Sequence, residues 1–257
     1  MVKYSFIFLY YFCFFVLSYN NGLKIQNNAV LLQISCYNTF NMELYDMHCH
    51  LLPHIDDGFV EWSELGSYLD LYKSCGFSGL IFTPHLYDPY VTTDVKALRE
   101  AWVKAKKICE EKGLFSSLAS EIYVLDEEEV KGLPVMGRYA LVEFPTEYAP
   151  SSLFQKLESL YPLVPIIAHI ERYKWLSPES DAVTEMRRRG YLIQVNAKAL
   201  AKGGKAEEYV LGGLVDILAS DCHGEKKDIV DLAQMISSHP DIMRKMSLLA
   251  RHLKEVV

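Results

Sequence analysis

Residues 42–257 predict an α/β protein, a distorted (β/α)7 barrel of the TIM-like type, and three observations carry that expectation. Short apolar runs alternate with helical stretches seven times. The runs are bounded by turn residues, as buried parallel strands are. Metal-ligand side chains recur at the C-terminal ends of these runs. An open sheet would spread such ends along a line, whereas a barrel brings them to one mouth, where that fold carries its chemistry.

The first strand, Leu44 to Met47, leads into the stretch from Asp46 to Gly58, which holds His48, His50, Asp56 and Asp57. Residues i and i+2 of a strand share a side, so His48 and His50 present two imidazoles in parallel and Cys49 points to the packed side. From Glu61 to Cys75, Leu65, Tyr68, Leu69 and Tyr72 recur at helical spacing, with Gly76 to end the helix. The second strand, Gly79 to Thr83, delivers His85. A helix from Asp94 to Lys112 stops at Gly113, and a third strand runs from Ser116 to Glu121. Tyr139 to Glu143 is the fourth strand. A helix over 150–160 leads to the fifth, Val164 to His169, and a helix over 178–189 to the sixth, Tyr191 to Val195. A helix over 206–212 precedes the seventh strand, Asp216 to Ser220, which runs into Asp221-Cys222-His223; 228–257 closes the chain as helix. Asp126 to Glu129 reads as the solvated start of a helix.

The 257 residues carry a formal charge of −7, and half are apolar, enough for one large domain. Residues 1–41 contain two lysines and no acidic residue, so 42–257 stands at −9. That balance argues against a nucleic-acid partner, whose phosphates need Lys and Arg. Six cysteines without CxxC spacing argue against a disulfide framework and for a reducing, cytoplasmic setting. The apolar run from Tyr4 to Tyr19 has the length of a signal-peptide core, shorter than the ~20 residues of a comfortable span, and no small-x-small cleavage site follows. Two readings stand for 1–41: a start site placed too far upstream, which is favoured, or a genuine signal or anchor. No stable membrane insertion of 42–257 is expected.

His48, His50, Asp57, His85, Glu121, His169, Asp221 and His223 come from six segments. Eight potential ligands exceed what one divalent ion takes and imply two or three ions sharing a carboxylate, with Glu121 as the bridge. His54, His239 and His252 fall outside the set. Tyr87, Tyr90, Phe144, Tyr148, Tyr173 and Trp175 follow the ligand-bearing strands as an aromatic rim or as plain packing.

The segments HCHLLPHIDDG, TPH, SEI, VEFP, AHIERY, QVNAKAL and ASDCH, in that order and spacing, resemble the polymerase and histidinol phosphatase (PHP) superfamily. Within it they are similar to the bacterial CpsB/YwqE-type protein-tyrosine phosphatases of capsule and exopolysaccharide synthesis, over essentially all of 42–257. The resemblance implies a trinuclear metal centre in the barrel, manganese before iron, zinc or magnesium, that hydrolyses phosphotyrosine on the tail of a cognate bacterial tyrosine kinase. It implies His48, His50, Glu121 and Asp221 around one ion, Glu121 and His169 around a second, and Asp57, His85 and His223 around a third. Arg172 would bind phosphate; Arg172, His50 and Glu121 form the implied catalytic set, and water, not a cysteine, would attack. A histidinol-phosphatase-like enzyme and a catalytically silent metal-binding regulator are the alternatives, and a homo-oligomer is left open. The chain departs from the family pattern at His54, at Phe59 and at Ala119-Ser120. It departs again after His223, where Gly224-Glu225-Lys226-Lys227 replaces a stretch with a second arginine and leaves Lys226 or Lys227 as stand-in.

Overall fold

The computed structural model describes residues 42–126 and 129–254. Residues 1–41, with their two readings, and Glu127 and Glu128 of the acidic run lie outside the described residues. Among the described residues eight parallel strands occur where seven were expected: β1 (Tyr45–Cys49), β2 (Gly79–Phe82), β3 (Phe115–Leu118), β4 (Glu121–Tyr123), β5 (Tyr139–Glu143), β6 (Val164–Ile167), β7 (Leu192–Asn196) and β8 (Ile217–Ala219). They form a three-stranded sheet, β1-β2-β3, and a five-stranded one, β4 to β8 in order. Single bridges join the two sheets at Cys49 to Cys222 and at His85 to Glu121. The expected single barrel ladder is therefore replaced by two sheets.

The extra strand arises at Ser120. Its backbone N–H donates to Leu133 O at 3.0 Å, and its hydroxyl accepts from Leu133 N at 2.7 Å. The predicted strand 116–121 is cut there, so Phe115–Leu118 pairs with β2 while Glu121 opens a strand that pairs with β5.

The helices are α1 (Trp62–Ser74), α2 (Leu98–Glu111), α3 (Leu153–Ser159), α4 (Asp181–Arg188), α5 (Ala197–Leu200), α6 (Lys205–Leu211), α7 (Lys226–Ser238) and α8 (Pro240–Lys254). Helix α1 buries the predicted stripe Leu65, Tyr68, Leu69 and Tyr72. Asp94 does not open α2; its carboxylate accepts from Ala97 N, a local turn that delays the helix to Leu98. The expected closing helix is two, because His239 precedes Pro240 and a residue before proline is steered out of the α region. Of the acidic run, the described residues Asp126 and Glu129 lie in no helix. Asp126 instead accepts from the backbone and hydroxyls of Ser151 and Ser152, ahead of α3. Among the described residues no helix is long and apolar enough to cross a membrane.

Tyr45 and Met47 of β1, Ile81, Leu141, Ile166 and Ile217 share an inner apolar cluster with Ala250 and Leu253 of α8. Cys49, Tyr72 and the helices' buried faces form the outer core. The register of β1 against β2 slips between Asp46 and Cys49. This bulge adds one residue to β1, and such insertions re-aim the side chains beyond them. Before it, Asp46 turns outward, accepting from Tyr72 Oη at 2.5 Å and from Ser220 Oγ at 2.5 Å. After it, His48 and His50 turn to the mouth.

Candidate metal centre

The bulge and the strand ends bring all eight expected ligands together, every one buried except Asp57 and His223. His48 and His50 approach through their Nε2 atoms at 3.1 Å. Glu121 Oε2 lies 3.0 Å from His48 Nε2 and 3.1 Å from His50 Nε2, and Oε1 lies 2.8 Å from His169 Nε2. The two oxygens of one carboxylate thus face two clusters. The first cluster is His48, His50, Glu121 and Asp221; the second is Glu121, Glu143 and His169; the third is His50, Asp57, His85 and His223.

Glu143, at the C-terminal end of β5, was missed by sequence reasoning. Its Oε2 is 3.4 Å from His169 Nε2 and its Oε1 3.5 Å from His85 Nδ1. The signal was available, since a carboxylate at a strand's end obeys the same rule as His169. Asp88, also missed, forms a further ligand-type group with His85 and Glu143.

Further polar groups hold the rings. Asp56 Oδ2 accepts from His50 Nδ1 at 2.7 Å and from His85 N at 3.1 Å. Gly58 in the same loop crosses so close to β1 that a Cβ would sit 1.9 Å from His50 O. Gln194 Oε1 accepts from His169 N at 2.8 Å, so the same oxygen accepts from His48 Nδ1 at 3.2 Å and leaves Nε2 to the cluster. Gln194 Nε2 donates to Asn196 Oδ1, and Asn196 Nδ2 to Asp221 Oδ2 at 2.7 Å. Two candidate ligands have left-handed backbones, His169 at φ 30 and Asp221 at φ 49. Such conformations cost a side-chain-bearing residue about 1–3 kcal/mol each, and they collect at functional sites.

The donor set fits divalent ions. Asp221 Oδ1 is buried without a hydrogen-bond partner, 3.5 Å from His48 Nε2, 3.8 Å from His50 Nε2 and 3.6 Å from His223 Nδ1. An acceptor oxygen facing three imidazoles asks for a cation between them. The charges agree. Burial opposes ionisation of Glu121, yet the His48 ring and hydrogen bonds from His169, His48 and His50 hold its carboxyl well below the usual range. Burial and Arg172 oppose protonation of His169, but Glu121 and Glu143 lift it to about 9. Burial likewise opposes protonation of His50, and Asp56 and Glu121 raise it well above an ordinary imidazole. Lone pairs that hold protons this firmly also suit divalent metals.

Arg172 reaches the cluster from the end of a 3-10 turn, Ile170–Arg172, where Nη2 donates to Asp221 Oδ2. Lys226 and Lys227 do not reach it. Lys226 lies over the Tyr68 ring at 5.1 Å, and Lys227 pairs with Asp231. Cys49 and Cys222 face away, donating to Ile81 O and Glu225 O. Burial pushes the Cys49 thiol well up and the Cys222 thiol to about 12, so neither offers a thiolate near neutrality. His54 pairs with exposed Glu61, and His239 bonds Met235 O at the end of α7.

The aromatic set divides. Phe144, Tyr173 and Trp175 pack on one another with centroids 5.4 to 5.8 Å apart, and Trp175 Nε1 donates to Pro145 O. They are a structural block behind His169, not a rim. Tyr87, Tyr90 and Tyr148 are exposed, and Tyr90 meets Tyr123, which sequence reasoning missed, edge to face at 5.4 Å.

Parallel α/β sheets whose strand ends present overlapping imidazole and carboxylate clusters define a protein with candidate metal-binding sites. The sequence profile described as "Capsular polysaccharide synthesis, CpsB/CapC" matches residues 44–247, and the chain belongs to that family. Among its relatives is the tyrosine-protein phosphatase CpsB of Streptococcus pneumoniae, 27% identical over 70% of this chain and 83% of the relative. Another is the tyrosine-protein phosphatase YwqE of Bacillus subtilis, 28% identical over 71% of this chain and 78% of the relative. A solved structure from work on YwqE and CpsB, described as unique metal-dependent tyrosine phosphatases, has a TM-score of 0.67 at 22% identity. It covers 83% of this chain and 94% of its own.

Proposed function

We propose that this protein is a metal-dependent protein-tyrosine phosphatase that acts on a bacterial tyrosine kinase of capsule or exopolysaccharide synthesis. The observation that carries the proposal is the sharing of Glu121 and His50 between overlapping ligand clusters in a family whose relatives bear that name. We read the two sheets as a distorted barrel opened along two seams, with the clusters at its mouth. His48, His50, Glu121 and Asp221 would hold one ion, Glu121, Glu143 and His169 a second, and His50, Asp57, His85 and His223 a third. Manganese suits this mixture of imidazole and carboxylate. Such ions supply Lewis-acid charge and lower the pKa of water toward neutrality.

The chain's own residues do the remainder. The guanidinium of Arg172 takes two phosphoryl oxygens at once and offsets the charge that accumulates on them. Asp56, Gln194 and Asn196 hold ligands in place, so little reorganisation accompanies reaction. The buried thiols take no part. Exposed Tyr87, Tyr90 and Tyr148 supply aromatic faces for a phosphotyrosine ring. The departing tyrosyl oxygen has a pKa near ~10, so it needs only modest help.

The test is turnover by manganese-loaded protein of p-nitrophenyl phosphate, a phosphotyrosyl peptide and histidinol phosphate in parallel. Preference for the peptide supports the proposal. Preference for histidinol phosphate would replace it with a small-molecule phosphatase, and metal binding without turnover of any of the three would leave a silent regulator.

A further inference from the structure

We propose that Lys198 is a second phosphoryl-binding cation, acting beside Arg172. This rests on the phosphatase proposal above, and it replaces Lys226 and Lys227, which point elsewhere. Lys198 lies on α5, the single turn that follows β7, and its Nζ donates to the backbone oxygen of Asp221 at 3.2 Å. The same Nζ is 3.7 Å from Asp221 Oδ2 and 3.6 Å from Asp228 Oδ2. Asp221 Oδ2 already accepts from Asn196 Nδ2 and from Arg172 Nη2. A carboxylate oxygen has two lone pairs, so a third donor is surplus to it. Of the three ammonium protons of Lys198, one is therefore engaged at hydrogen-bond distance, while two face carboxylates beyond it.

Exposure points the same way. The Asp221 side chain is 1% exposed, but that of Lys198 is 32% and that of Arg172 40%, so the two cations stand at the opening with the carboxylate beneath them. A phosphoryl group offers several acceptor oxygens of high charge. The planar fork of arginine matches two of them, and a compact ammonium whose two carboxylate partners lie at 3.6 and 3.7 Å can turn a proton to another. The bland alternative is that Lys198 only ties Asp221 to Asp228 and so braces a metal ligand.

Calorimetry of inorganic phosphate binding to the manganese-loaded full chain separates the two, with metal content and p-nitrophenyl phosphate kinetics measured on the same samples. K198M is expected to weaken phosphate binding and raise KM about tenfold or more at unchanged metal content, because a charge-assisted contact is lost. K198R should restore most of it, and K226M should change nothing. D228N, which removes the competing carboxylate without touching Lys198, should tighten phosphate binding. The inference falls if K198M binds phosphate like wild type, if its only defect is lost metal, or, should K198M not fold, if D228N leaves phosphate affinity unchanged. Wild type that binds phosphate but turns over no phosphomonoester would sink the phosphatase proposal while leaving Lys198 its role.

Discussion

Along the strands, ahead of the candidate ligands, Tyr45, Met47, Ile81, Leu141, Ile166 and Ile217 close on Ala250 and Leu253 of α8 without a charge among them. A few residues further along the same strands, imidazoles and carboxylates are buried nearly as deeply. The first region is held mainly by apolar packing, with Tyr45 Oη also donating to Glu43 at 3.3 Å. The second depends on a bulge in β1 and on left-handed backbone at His169 and Asp221. Fold stability and chemistry are thus assigned to opposite ends of one set of strands.

The sharpest way to break that division is at the mouth. His50→Ala removes a ligand shared by two clusters and should lower turnover by about 10⁴-fold or more, as losses from a cooperating set do, with a drop in bound metal measured by elemental analysis. Ile166→Ala, at the apolar end, should instead cost about 2–5 kcal/mol in denaturant unfolding and leave kcat of the folded protein intact. Equal damage to kcat would mean that the two ends are not independent. Gln194→Leu takes away the partner of the His48 ring without removing a ligand, and should weaken metal binding by about 10–100-fold in competitive chelator titrations.

The pH response should also differ with and without metal. The folded-state pKa of His169, about 9, lies above its ordinary 6.5, so that stabilisation is complete below 6.5 and is lost as pH rises through about 9. The Tm of chelator-treated protein should therefore fall across this interval. A metal needs the same nitrogen unprotonated, so manganese affinity should rise over the same interval, with proton release seen by calorimetry in buffers of different ionisation enthalpy. The smallest effect is expected from Cys49→Ala and Cys222→Ala, which should keep turnover within about twofold because both thiols are buried and un-ionised.

The helix α1 stripe and the histidines at strand ends were legible because each follows from a short-range period. What escaped depends on distant partners. Ser120 looks like strand until Leu133, thirteen residues on, captures it. Lys198 sits in a single helical turn that carries no periodic signal. Phe144, Tyr173 and Trp175 follow strand ends just as Tyr87 and Tyr90 do, and only their mutual packing tells the block from the rim. Pro240, by contrast, divides the last helical stretch by a purely local rule.

The two sheets share one bridge on each flank, which is little to keep them in step. Yet His48 lies in β1 and His50, Asp57 and His85 follow strands of the smaller sheet, whereas Glu143 ends a strand of the larger, Asp221 and His223 follow another, and Glu121 begins a third. Ions seated among them would clasp the halves like rivets through two plates. Chelation would then loosen the joint as well as silence the chemistry, and amide exchange should quicken first along the two flanks.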